Sequence, residues 1–111
     1  MDIQGFHHVA YRCDNAKQTV EFYQQVLGMD FQLAIAEDKV PSTGEPDPYM
    51  HISMDAGHGN VLAFFELPQS PDMGSDLNTP EWVQHIAGNA AEMDTRFEAK
   101  QRIEDSSDAD F

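Results

Sequence analysis

Residues 7–29 read HHVAYRCDNAKQTVEFYQQVLGM, a strand pattern that runs directly into a helix pattern. Side chains of alternating character predict a strand over residues 3–13. Either Asp14 or Asn15 can cap the helix that follows, because both side chains accept hydrogen bonds from free first-turn amides. Apolar residues then recur at helical spacing until Gly28, a typical C-terminal stop. The stretch therefore predicts one strand–helix unit.

The same pattern returns 77 positions later (85 minus 8), where His85-Ile86-Ala87 matches His8-Val9-Ala10 without a gap. Self-similarity at a fixed offset indicates two related structural units. The second copy predicts a strand at Trp82–Ala87 and a helix at Glu92–Glu104. Each copy carries one histidine at the same point of its strand.

Three further strands are predicted between the two copies, over residues 29–36, 49–54 and 61–67. The fold class is therefore α+β, a βαβββ module followed by an incomplete second module of one strand and one helix. The predicted domain organisation is a first module at 1–67, a linker at 68–81, a partial second module at 82–104 and a polar tail at 105–111.

The composition excludes several classes of partner. Six Lys and Arg residues against twenty Asp and Glu residues give a net charge of −14, which repels nucleic acid and anionic lipid. Cys13 is the only cysteine, so no intrachain disulfide can form. No apolar run approaches the roughly 18 residues that span a bilayer, and the N-terminus lacks signal-peptide character. We expect a cytoplasmic protein.

Glu66 is the acidic residue whose position most needs an explanation. If the fourth strand alternates, Glu66 shares a face with Leu62 and Phe64, and an unpaired acid buried there would cost several kcal/mol. A metal ion shared with His8 would offset this cost, as would an ion pair or a solvent-exposed sheet face. The repetition of His8 as His85 favours the metal, since two histidines and one carboxylate suit a divalent transition metal.

Three stretches resemble the vicinal oxygen chelate superfamily, which includes glyoxalase I, bleomycin-resistance proteins and extradiol dioxygenases. They are residues 7–11, residues 21–29 and Phe65-Glu66-Leu67. The resemblance implies βαβββ modules that curl in pairs around a cleft, with metal ligands on the first and last strand of each module. By position, His8, Glu66 and His85 would be three ligands of a set of four. The fourth ligand would be a glutamate on the last strand of the second module, and the sequence pattern predicts no such strand.

The resemblance implies an enzyme that uses a divalent metal (Zn, Ni, Fe or Mn) to act on a small molecule with vicinal oxygens, by isomerisation, lyase or ring-cleavage chemistry. Glu66 would then be both a ligand and the catalytic base. The alternative is a non-catalytic protein of the bleomycin-resistance type that binds a small molecule such as an antibiotic. A third possibility is an inactive, truncated family member.

Two expectations concern geometry and assembly. The first helix should cover the sheet face that holds Val9, Ala63 and Phe65, and His8 and Glu66 should lie close enough to share one ion. A lone strand and an amphipathic helix over 82–104 would expose unpaired edges and apolar surface. We therefore expect a homodimer with this segment at its interface.

Overall fold

The computed structural model describes residues 2–89, which form one mixed sheet and one helix. The α+β class and the βαβββ order of the first module are confirmed. The predicted helix at 92–104 and the tail at 105–111 lie outside the described residues. The elements are β1 (His8–Cys13), α1 (Ala16–Gln25), β2 (Asp30–Glu37), β3 (Tyr49–Asp55) and β4 (Val61–Glu66).

The strand order across the sheet is β1-β4-β3-β2. β1 pairs with β4 in parallel, whereas β4 with β3 and β3 with β2 are antiparallel. The β3–β4 hairpin turns through Gly57, His58 and Gly59, all with positive φ, and glycine adopts that conformation without steric cost. The register of β4 against both neighbours places each side chain of the central strands on a known face of the sheet.

Helix α1 begins where the sequence predicts a cap. The Asn15 side chain accepts a hydrogen bond from the Gln18 backbone N–H at 3.0 Å, which satisfies a first-turn donor. Gly28 follows the helix with a φ of 70°, a left-handed conformation that favours glycine. Of the two candidates, the structure therefore selects Asn15 as the cap.

Helix α1 covers the sheet face that holds Leu62 and Phe64, not the face that holds Ala63 and Phe65. The buried cluster contains Cys13, Leu62 and Phe64, with Val20 and Tyr23 of α1 packed against it. Ala63 and Phe65 alternate with these residues and belong to the other face, so that prediction was wrong. Strand alternation shows which residues share a face, but it does not show which of two apolar faces meets the helix. We call the two sides the covered face and the open face.

Two strand predictions also differ from the structure. β1 begins at His8, not at residue 3, because its partner β4 begins only at Val61, which is directly opposite His8. The predicted strand at Trp82–Ala87 is a turn followed by irregular backbone. A strand requires a neighbour for its ladder of hydrogen bonds, and no strand of the described chain pairs with this segment. No helix within residues 2–89 has the length and apolar character needed to cross a membrane.

Candidate functional site

Glu66 contacts the start of the helix. Its Oε1 accepts a hydrogen bond from the Ala16 backbone N–H at 3.1 Å. This amide belongs to the first turn of α1, whose donors have no partner within the helix. The carboxylate is also favourably placed against the positive end of the helix dipole. Glu66 therefore connects the end of β4 to the start of α1. The sequence predicted that this carboxylate needs a partner, and the helix start provides one without a metal ion.

His8 lies far from Glu66 and on the other face. His8 is opposite Val61, whereas Glu66 is opposite Cys13, five residues farther along β1. Five residues of strand correspond to about 16 Å, and an odd offset places the two side chains on opposite faces. Close to His8 on its own face, β4 offers only Val61 and Ala63, which have no atoms that bind a metal.

His8 instead contacts a neighbouring histidine. The Nδ1 atoms of His7 and His8 lie 2.9 Å apart, within hydrogen-bond distance. Such a bond requires one of the two rings to carry the proton and the other to accept it. One nitrogen of His8 is therefore already engaged within the chain.

His85 lies on the covered side. Residues 83–86 line a cavity of about 700 Å³ together with Tyr11, Tyr23 and Phe64, of which Phe64 is a core residue of the covered face. The His85 Nδ1 atom is 3.1 Å from the Val83 carbonyl oxygen. The two repeated histidines are thus on opposite sides of the sheet.

The three predicted ligands therefore do not form a metal site within one chain. Across residues 2–89, no three His, Cys, Asp or Glu side chains are grouped so that they could hold a metal ion. A divalent transition metal in a protein normally takes at least three protein ligands. The donor set of the described chain does not fit the metal centre that the resemblance implies.

The open face carries a different group of side chains. Arg12 of β1 is opposite Phe65 of β4, and Phe65 is opposite His51 of β3. Side chains in register on paired strands point to the same face. We call these three residues the open-face row. Phe65 and His51 stack with ring centroids 4.2 Å apart and an interplanar angle of 7°.

Arg12 is a cation without an ionic partner in the described part of the chain. Its Nη2 donates a hydrogen bond to the Pro71 carbonyl oxygen at 2.7 Å, and its Nε is buried with no hydrogen-bond partner among residues 2–89. A guanidinium has five donors and stays charged at every physiological pH. Most of its capacity to bind a carboxylate or phosphate is therefore unused.

His51 is also incompletely satisfied. Its Nε2 is buried with no hydrogen-bond partner in the described structure. Desolvation by burial lowers the pKa of His51 below its ordinary value, and the charge of His8 lowers the pKa further. His51 is accordingly a neutral imidazole near neutral pH, with one nitrogen that lacks a partner.

Small side chains lie beside the open-face row. The next row on the same face consists of Ala10, Ala63, Ser53 and Leu33 in register across all four strands. Ala10 is exposed and Ser53 is partly exposed, whereas Ala63 between them is only 1% exposed because larger side chains surround it. We call these three residues the small-residue floor.

Sequence reasoning missed the open-face row. Arg12 is not a metal ligand and His51 lies outside the repeat, so neither is among the predicted site residues. The signal lies in the alternation of two strands, since His51 and Phe65 both fall on the face that the helix does not cover. The contact between His51 and Phe65 can be identified only when the β3–β4 register is known.

The fold and the open face together define a single βαβββ module with one packed and one open sheet face. The family model described as "Glyoxalase/Bleomycin resistance protein/Dioxygenase superfamily" matches residues 5–106. The chain therefore belongs to this superfamily, as the sequence motifs predicted.

Two solved structures are similar in fold. A glyoxalase family protein from Enterococcus faecalis is 21% identical, with a TM-score of 0.47 over 78% of this chain and 58% of that chain. A protein named SMU.1112c is 14% identical, with a TM-score of 0.53 over 96% of this chain and 77% of that chain. This chain thus spans little more than half the length of the Enterococcus protein. No curated protein matches this sequence.

Proposed function

We propose that this protein binds a small organic molecule on the open face of its sheet and does so without a metal centre. The observation that carries the proposal is the open-face row, in which a stacked pair of rings adjoins an arginine that has no ionic partner within the described residues. Ligand sites in proteins combine apolar and aromatic surface with a few polar groups that orient the ligand. The open-face row and the small-residue floor supply both.

The placement of the predicted ligands supports binding over metal-dependent turnover. Glu66 contacts the helix start, so it is not available as the base of a glyoxalase-like reaction on the open face. His8 and His85 lie on opposite sides of the sheet. These two observations support the proposal of a protein that binds a ligand without turnover.

We propose that a second copy of the chain encloses the other side of the bound ligand. One sheet face contacts only one side of a bound molecule, whereas small-molecule sites typically enclose most of the ligand surface. Leu33 and Ile35 on the open face are exposed by 50% and 38%. A homodimer would bury such apolar surface and supply a second wall.

A pair of variants tests where the ligand binds. Ala10→Trp places an indole on the small-residue floor, and Tyr11→Trp places the same group one residue away on the covered face. Both positions are exposed, so we expect both variants to fold. Saturation-transfer NMR with a mixture of anionic, neutral and cationic aromatic fragments measures binding. We expect Ala10→Trp to abolish the signals and Tyr11→Trp to preserve them.

Two results would contradict the proposal. The first is the absence of any signal from folded wild-type protein with every fragment at millimolar concentration. The second is an unchanged set of signals in Ala10→Trp, which would place the ligand elsewhere. Metal analysis provides an independent check. If His8→Ala and Glu66→Ala each removed the same stoichiometric metal ion from the purified protein, the metal-dependent enzyme would replace the binding protein as the better description.

A further inference from the structure

We infer that the molecule bound on the open face is a planar anion, an aromatic or conjugated carboxylate, with its charged group at Arg12 and its flat face beside Phe65 and His51. The inference rests on the proposed function and adds the chemical class of the ligand. It depends on three properties of the open face, which are charge, unused hydrogen-bond donors and shape.

The charge of the open face near Arg12 differs from that of the whole chain. The protein carries a net charge of −14, yet neither the open-face row nor the small-residue floor contains an acidic residue. The acidic residues on this face lie at the two ends of the sheet, Glu37 at one end and the paired Asp30 and Asp55 at the other. Arg12 is therefore a local positive site, and a cationic ligand would place like charges together.

The donors of this region match carboxylate oxygens. The fixed fork of a guanidinium fits two oxygens of one carboxylate, and such charge-assisted bonds are stronger than neutral ones. Arg12 keeps its Nε unpaired, and His51 in its neutral form can present an N–H at Nε2. Both side chains are only partly buried, and the inference requires a change in side-chain torsion that exposes these two atoms to the ligand. A bound anion would satisfy groups that are otherwise buried at a cost.

The shape of the face favours a flat molecule. Phe65 and His51 are already parallel, which shows that rings lie flat against one another on this part of the sheet. Tyr49 also approaches Phe65, with centroids 5.5 Å apart. Beside these rings, Ala10 and Ser53 of the small-residue floor are accessible and short, so a planar group can approach the sheet there. A bulky, non-planar anion would touch fewer atoms.

Four matched probes test the inference: benzoate, the neutral benzamide, the cationic benzylamine and the non-planar cyclohexanecarboxylate. Dissociation constants come from titrations followed by ¹⁵N–¹H NMR of the full chain. We expect benzoate to bind about tenfold more tightly than benzamide, a preference typical of one charge-assisted bond. Cyclohexanecarboxylate should bind more weakly than benzoate, and benzylamine most weakly.

Variants of Arg12 test whether this residue causes the preference for benzoate over benzamide. Arg12→Gln should reduce the ratio of benzamide to benzoate dissociation constants to about one, whereas Arg12→Lys should retain part of it. Lys17→Gln is the control, because Lys17 is an exposed cation of α1 whose loss leaves the open face unchanged. Releasing Pro71 from Arg12 could disturb the linker, but that effect would weaken all four probes equally and leave their ratio intact.

The outcomes separate this inference from the proposed function. If benzamide or benzylamine binds as tightly as benzoate and Ala10→Trp still blocks binding, the site stands and the anionic ligand class is wrong. If the benzoate preference survives in Arg12→Gln, the assignment to Arg12 is wrong. If no probe binds, or if Ala10→Trp has no effect, the proposed function fails and this inference fails with it.

Discussion

The two faces of the sheet are built from the same strands, yet they differ in what their side chains do. The covered face consists mainly of apolar residues packed against α1, such as Ile52, Leu62 and Phe64, which are exposed by 7% or less. The open face presents Arg12 and His51 with unpaired polar atoms. Most of the buried side chains therefore lie on the covered face, whereas the open face is the one that we propose binds the ligand.

The adjacent residues Phe64 and Phe65 should give the largest difference in stability between the two faces. Phe64→Ala on the covered face should destabilise the protein by about 3–5 kcal/mol, because it leaves a cavity in the core. Phe65→Ala on the open face should cost only about 1–2 kcal/mol, because Phe65 is partly exposed. Urea unfolding followed by circular dichroism measures both losses.

Equal losses in the two variants would show that the faces do not divide stability in this way. If Phe64→Ala fails to fold, Phe64→Leu and Phe65→Leu provide a milder pair with the same expected order. The binding assay should show the opposite order, since Phe65→Leu removes a ring from the open-face row and Phe64→Leu leaves that row intact.

Glu66 gives a smaller effect and separates its two possible roles. Glu66→Ala removes the acceptor for the Ala16 backbone N–H and should destabilise the protein by about 1–2 kcal/mol. Glu66→Gln retains a carbonyl oxygen and should lose less than half of that. Thermal unfolding measures both, with Glu37→Ala on the exposed edge strand as a control that should change little. Unfolding curves that coincide for wild type and Glu66→Ala would refute the capping role.

His51 gives the smallest effect, which depends on pH. Its pKa is lowered in the folded state by burial and then by His8, so the unfolded chain binds the proton more readily. Stability is therefore retained above the unfolded pKa of about 6.5 and decreases as the pH falls below it. His51→Gln should reduce this decrease, and the change should be a fraction of the Glu66→Ala loss because His51 is partly exposed.

The measurement is the free energy of unfolding at several pH values between 8 and 5. His58→Gln in the β3–β4 turn is the matched control, since it removes a histidine that lies in the exposed turn. If the dependence of the unfolding free energy on pH is unchanged in His51→Gln but altered in His58→Gln, the assignment to His51 is wrong.

The elements of the first module were predictable because their signals are local. Asn15 and Gly28 mark the ends of the helix region through the conformations and hydrogen bonds of a few neighbouring residues. The superfamily was predictable for the same reason, since its motifs are short and contiguous. The site was not predictable. The expected ligand set placed Glu66 beside His8, and the β1–β4 register separates them by five positions.

The sequence alone fixes the strand–helix unit, the acidic character of the chain and the superfamily, because each of these depends on composition or on residues close together in the chain. The tertiary structure alone shows which face α1 covers and which residues meet across β1, β4 and β3. The physical reason is that strand side chains alternate with a period of two, so one step in register moves a residue to the other face. Pairing between distant strands sets that register, and it brings Arg12, Phe65 and His51 into one row.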